Sequence, residues 1–208
     1  MSATDSVHPG LTIDHPDADA HERAEGGVFG FWVFLMSDAV IFALLFATYG
    51  VMLVGTAGGP TPASEYKIGL AFVETLILLT SSLTFGMASL SLKHDDGRER
   101  ITLWLMITLG LGVAFLAMEL HDFGTMAAHG AVPSRSGYLS AFFALVPLHG
   151  LHVLVGCVWI VVMVVQLRVF GADERVTVNL LRLGLFWHFL DIVWIAIFSV
   201  VYLQGLIA

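Results

Sequence analysis

Polar and apolar positions alternate along this chain on the scale of whole segments, not of single residues. Five long apolar runs, Val28–Val54, Ile68–Leu92, Ile101–Phe123, Tyr138–Leu167 and Val178–Ile207, are divided by short polar stretches. The breaks carry turn chemistry. GTAGGPTPAS closes the first run, KHDDGRER separates the second from the third, and a Gly/Pro/Ser connection around Pro133 precedes the fourth; Gly and Pro there disfavour helix continuation. One residue advances a helix by about 1.5 Å, so runs of 23 to 30 residues span about 35–45 Å, enough to cross a hydrocarbon layer with tilt. Strands of a membrane barrel need only about 9–11 residues and alternate in polarity, and neither property is present. The pattern predicts an all-α membrane protein, a bundle of five transmembrane helices over residues 28–207, preceded by a flexible acidic tail over residues 1–27.

Charge sets the expected orientation. Arg23, Lys93, Arg98, Arg100, Arg168, Arg175 and Arg182 fall on one side of the five-span scheme, and only Lys67 and Arg135 on the other. An excess of Lys and Arg marks the cytoplasmic side, which puts the N-terminus in the cytoplasm and the C-terminus in the periplasm. The tail holds Asp5, Asp14, Asp17, Asp19, Glu22 and Glu25 against a single Arg23, so it contributes −5 of the formal net charge of −8. Its three histidines are six or more residues apart and mixed with acids, a composition that reads as solvated chain more readily than as a metal site. It has no basic start, short apolar core and small-residue cleavage site, so the first apolar run is expected to stay in the mature protein.

Overall, 57% of residues are apolar and 12% charged, against about 45–50% and about 25% in soluble domains. A water-soluble globule is excluded. The absence of clustered cations argues against nucleic acid as a partner. A single cysteine, Cys157, cannot form an internal disulfide or a CxxC motif.

Seven polar residues within the spans then require explanation: Asp38, Glu74, Glu119, His149, His152, His188 and Asp191. A charged Asp costs about 2.5–3.5 kcal/mol at the centre of an inserting helix. Such groups should therefore face other helices, pair, or be neutral, and no Lys or Arg lies deep in a span to neutralise them. In PLHGLHV, His149 and His152 share one helix face, and His188 and Asp191 in FWHFLDIVW have the same spacing. Both pairs fall near mid-depth. Two facing helices would then present three imidazoles and a carboxylate to one point, a donor set adequate for zinc or iron. The same groups can also satisfy one another as a hydrogen-bonded seam, and the seam is the favoured reading. Glu74 and Glu119 lie toward the outer ends of their spans, where they could share a proton; Asp38 stands alone in span one beside Ser37. Intramembrane acids mark proton paths, but one acid per helix also serves to fix helix register, and the structural role is preferred.

Trp32, Trp104, Tyr66, Tyr138 and Tyr202 are placed near interfaces, where amphipathic rings settle. Trp159, Trp187 and Trp194 lie deeper and are assigned only packing or lipid contact. Gly110, Gly112, Gly150 and Gly156 permit close helix approach.

GFWVFLMSDAVIFALLFATY, VETLILLTSS, SAFFALVPLHGLHVLVG and LFWHFLDIVWIAIFSVVYL together resemble subunit III of the haem–copper terminal oxidases. The similarity covers about residues 28–207 and, within the family, is greatest to the members serving cytochrome o ubiquinol oxidases. Five spans match the short bacterial form. The resemblance implies a non-catalytic subunit of the bacterial inner membrane that carries no cofactor itself, haem and copper residing in the partner subunit I. It also implies packing against subunit I and other oxidase subunits, support of assembly and sustained turnover, and phospholipid held in a cleft between helix groups. Asp38 corresponds to the family's intramembrane carboxylate, commonly Glu in mitochondrial relatives, and His149, His152, His188 and Asp191 fall in shared motifs, which favours the seam over a metal site. Two rivals from other classes are a self-contained intramembrane metalloprotein and a small proton-coupled transporter built on Asp38, Glu74 and Glu119. The missing internal repeat weighs against the transporter. A cytochrome c oxidase subunit III is the alternative within the family.

Overall fold

The computed structural model describes residues 18–53, 68–94, 97–171 and 173–203. Five long helices account for nearly all of them: α1 (Ala18–Met52), α2 (Ile68–Lys93), α3 (Arg98–Ala128), α4 (Gly137–Phe170) and α5 (Glu174–Ile197), which continues as a π-helical turn over Phe198–Leu203. A 3₁₀ turn at Pro133–Arg135 leads into α4, whose first turn is capped where Ser136 Oγ accepts from the Leu139 amide at 3.2 Å. Among the described residues all five helices are long and apolar enough to cross a membrane.

The helix ends differ from the apolar runs in two informative places. Helix α1 starts at Ala18, inside the segment expected to be a flexible tail. Ala-Asp-Ala-His-Glu-Arg-Ala-Glu is rich in good helix formers, and with a long apolar helix already nucleated behind it each added residue needs only propagation. Helix α3 runs on past Phe123 to Ala128 because no proline stops it, so that Asp122 sits well inside the helix and not at its end. The turn GTAGGPTPAS, Tyr66 and residues 1–17 lie outside the described residues.

Helices α2, α3, α4 and α5 pack in a ring, each against the next and α5 back against α2, while α1 lies against α4 and, less extensively, α5. Polarity is reversed relative to a water-soluble protein. Phe29, Leu44, Leu83, Leu120, Val158 and Ile192 point outward, whereas Glu74, Ser81, Thr84, Thr108, Glu119 and His149 are buried between helices. Large contiguous apolar surface of this kind marks contact with lipid or partner helices. Between helices in lipid the driving force is close packing and interhelical hydrogen bonding, and the ring's interior supplies both.

Candidate functional site

The polar interior begins with the hydroxyl cluster Thr80-Ser81-Ser82-Leu83-Thr84 on α2. A hydroxyl in a helix commonly donates to a carbonyl of the preceding turn, which leaves its oxygen free to accept. Ser81 donates to the Leu78 carbonyl at 2.7 Å and accepts from the Trp187 indole N–H at 3.1 Å. Thr75 donates to the Ala71 carbonyl at 2.8 Å and accepts from the Trp194 indole at 3.1 Å. Trp187 and Trp194 are seven residues apart on α5, two helical turns, so both reach α2 from one face. Between them His188 Nδ1 pairs with Ser82 Oγ at 2.8 Å and lies 3.6 Å from the Asp191 carboxylate. On the other flank of α2, Thr84 and Thr108 hydroxyls pair at 2.8 Å across to α3. Trp187 and Trp194 therefore carry the seam itself, a role beyond packing. The signal available in the sequence was the run of hydroxyls in an otherwise apolar span.

Glycines shape the seat of Trp187. A Cβ added at Gly112 on α3 would lie 2.9 Å from both the Trp187 ring and Cys157 Sγ, and one at Gly156 on α4 would lie 3.0 Å from the same ring. Gly184 on α5 likewise meets the Phe85 ring, at 2.8 Å. Gly110 has nothing within 4 Å and serves no close approach.

His149, His152, His188 and Asp191, the donor set considered for a metal, do not converge on one point. His149 is 0% exposed and sits in a cage of aromatic rings: it stacks on Trp194 at 5.4 Å and meets the Phe115 ring edge-on at 5.9 Å and the Phe42 ring at 6.5 Å. His152, one turn along α4, points to α1. Its Nδ1 donates to the Leu148 carbonyl at 2.7 Å, and its Nε2 lies 3.6 Å from Asp38 Oδ2. Asp38 is thus not solitary in its span but faces α4. His188 and Asp191 belong to the α2 seam, and the His188 side chain is 47% exposed. The spacing of three residues does keep His149 and His152 on one face, where both rings meet Phe42 of α1 and each also meets a ring of α5, Trp194 for His149 and Phe186 for His152. Among the described residues no three His, Cys, Asp or Glu side chains are grouped to hold a metal ion.

Glu74 on α2 and Glu119 on α3 lie within electrostatic range of each other, with Asp122 in range of Glu74. The Glu119 carboxyl rests against the backbone of α4 at Gly150, where a Cβ would come 2.5 Å from its Oε2. Tyr202, in the π-helical turn that ends α5, feels all three acids and Tyr138. A buried acid–tyrosine cluster at one end of the ring thus draws on α2, α3, α4 and α5. Asp122 is not among the seven polar residues singled out from the sequence, although it lies within the run Ile101–Phe123 and the three-residue step from Glu119 puts it on the same face. The Ser81–Trp187, Thr75–Trp194, Ser82–His188 and Thr84–Thr108 pairs tie helix to helix, whereas neither ring nitrogen of the buried His149 has a hydrogen-bond partner among the described residues, so that the expected hydrogen-bonded seam does not include it.

Comparison with known proteins agrees with the motifs. The family model described as cytochrome c oxidase subunit III matches residues 17–206. The chain is 46% identical over 193 residues to the cytochrome bo(3) ubiquinol oxidase subunit 3 of Pseudomonas aeruginosa, covering 93% of this chain and 92% of that one. It is 41% identical over 180 residues to the protein of the same name from Buchnera aphidicola subsp. Baizongia pistaciae, covering 86% and 92%. It is 38% identical to the quinol oxidase subunit 3 of Bacillus subtilis, covering 89% and 90%. With the match spanning almost the entire chain and the HGLHV and WHFLDIVW segments lying in its interior helices, the protein belongs to the cytochrome c oxidase subunit III family, the third subunits of the haem–copper oxidases.

Proposed function

We propose that this chain is the subunit III of a bo(3)-type ubiquinol oxidase in a bacterial inner membrane, with its N-terminus in the cytoplasm and its C-terminus in the periplasm. The complex oxidises ubiquinol, reduces oxygen to water and translocates protons; this chain performs none of those steps. It packs against subunit I, where haem and copper reside, supports assembly and sustained turnover, and holds phospholipid. The observation that carries the reading is the 46% identity over 93% of the chain to a ubiquinol oxidase subunit 3. The geometry supports it. The hydroxyls of α2 join it to α3 and α5, as a packing subunit requires, and the seven-to-two distribution of basic residues supports the orientation.

The electron donor is decided by oxygen uptake of the detergent-solubilised complex supplied with ubiquinol or with reduced cytochrome c. Uptake with ubiquinol alone is the expected result. Uptake with cytochrome c alone would reassign the chain to a cytochrome c oxidase, the name its family carries.

A further inference from the structure

Helix α5 turns one polar ring outward. His188 lies 13 residues from the Arg175 end of its candidate span and 15 from the Leu203 end, about 20 Å from each. It therefore stands at mid-depth, with about 15 Å of hydrocarbon on either side. Its Nδ1 is engaged by Ser82 and lies near Asp191, and the ring meets Phe85 edge-on at 6.0 Å. Nε2 has no hydrogen-bond partner among the described residues, and the side chain is 47% exposed. An imidazole nitrogen, as donor or acceptor, calls for a partner that hydrocarbon cannot supply. Other exposed polar groups of the spans meet that demand locally: the hydroxyls of Ser37, Thr48 and Thr80 donate to carbonyls of their own helices. Around His188 the outward residues form a stripe. Leu181, Leu185, His188, Ile192 and Ile195 follow one another at alternating steps of four and three, the spacing by which one helix packs along another. Leu181, Ile192 and Ile195 are exposed and Leu185 is partly so. One polar residue inside such an apolar stripe fixes register and partner at some cost in stability.

We propose that the α5 stripe centred on His188 is the docking line for a transmembrane helix of another oxidase subunit, which presents a hydrogen-bonding side chain to His188 Nε2 at mid-depth. Acyl chains cover the leucines and isoleucines at any depth but leave the imidazole unanswered. A partner helix answers both. His188 then sets the register of the contact, because a slip of one turn, about 5.4 Å, would leave both polar groups in hydrocarbon. Ser82, holding the inner nitrogen at 2.8 Å, aims the outer one, so the α2–α5 seam supports the docking contact as well as the fold. This contact rests on the oxidase reading above and adds to it the face and the residue by which the subunit is held.

Two substitutions separate the inward and outward roles of the ring. An asparagine side chain keeps a polar atom near the Nδ1 position and loses the outward one, whereas a glutamine amide reaches the Nε2 position. In the intact complex, purified in mild detergent through a tag on this chain, His188→Gln should retain the neighbouring subunits as the wild type does. His188→Asn should release one of them at lower detergent, its association weakened about threefold and at most about 20-fold, the range of a single interhelical hydrogen bond in a membrane. Retention by the asparagine variant with loss by the glutamine variant would mean that His188 serves only Ser82, and overturns the proposal, as does equal behaviour of the two. A photo-crosslinking residue at position 192, one turn along the stripe, should capture another oxidase subunit in native membranes. Capture of lipid alone, or reaction of His188 with aqueous diethyl pyrocarbonate in the assembled complex, would put lipid or water on this face and overturn the proposal. Copurification of haem and copper with the wild-type chain reports on the oxidase reading independently of both variants.

Discussion

Replacing Gly112 with alanine adds one methyl group at the tightest point among α3, α4 and α5. The new Cβ would stand 2.9 Å from Cys157 Sγ on α4 and 2.9 Å from the Trp187 ring on α5. Neither neighbour can step aside easily. Cys157 is buried, and the Trp187 ring is backed by Gly156 at 3.0 Å from that position's virtual Cβ and tethered through its indole N–H to Ser81 at 3.1 Å. Forcing an extra methyl into a packed core costs about 1–3 kcal/mol. The substitution also gains about 0.5–1 kcal/mol because alanine suits a helix interior better than glycine. Gly110→Ala separates the two effects: it lies on the same helix with nothing within 4 Å and collects only the gain. The difference between the variants, about 1–3 kcal/mol, is therefore the overpacking alone. It is read from equilibrium unfolding of the detergent-solubilised complex in increasing denaturing detergent. Cys157→Ala in the Gly112→Ala background should recover part of the loss, since contacting residues couple by about 0.5–3 kcal/mol. Equal stability of Gly110→Ala and Gly112→Ala would refute the reasoning, because it would mean that the Trp187 seat is not packed as described.

Other substitutions probe the remaining contacts. Trp194→Phe removes the indole donor to Thr75 and should cost about 0.6 kcal/mol, with about 1.7 as the upper bound for an interhelical hydrogen bond in a membrane; in a Thr75→Val background the same change should cost measurably less. Gly150→Ala drives a methyl against the Glu119 carboxyl and should destabilise the complex in the same unfolding assay, with partial rescue by Glu119→Ala. Replacing His149, His152 and His188 singly with Ala should leave the metal content of the purified complex unchanged by elemental analysis, because the three rings stand in different surroundings; loss of a stoichiometric metal from any one would restore the metalloprotein reading.

The span count was legible because the chain offers no alternative use for apolar runs of this length, and the buried acids and histidines were legible because polar groups in such runs must face protein. Partnership was harder. Asp38 was read alone since its partner, His152, comes from a helix more than a hundred positions later, and sequence periodicity carries no information across helices. His149 and His152 do share a face, but the aromatic rings that fill the space around them, Phe42, Phe115, Phe186 and Trp194, come from three other helices and could not be placed from periodicity. The tryptophans were read as packing because an indole in an apolar run looks the same with or without an acceptor opposite; only the hydroxyls of α2, seen together with α5, reveal the bonds. The start of the first span near Val28 agrees with the candidate span from Phe29, but the helix itself reaches back to Ala18, because charge marks where lipid ends and a helix need not end with it.

As a third subunit of a haem–copper oxidase, this chain should be found in a complex with a haem- and copper-bearing subunit. Affinity purification through a tag on this chain from native membranes, followed by haem and copper analysis and quinol-driven oxygen uptake, tests it most directly. A haem- and copper-bearing subunit should copurify, and oxygen uptake should accompany it. Recovery of this chain without such a subunit, or with a stoichiometric metal bound to this chain itself, would contradict it.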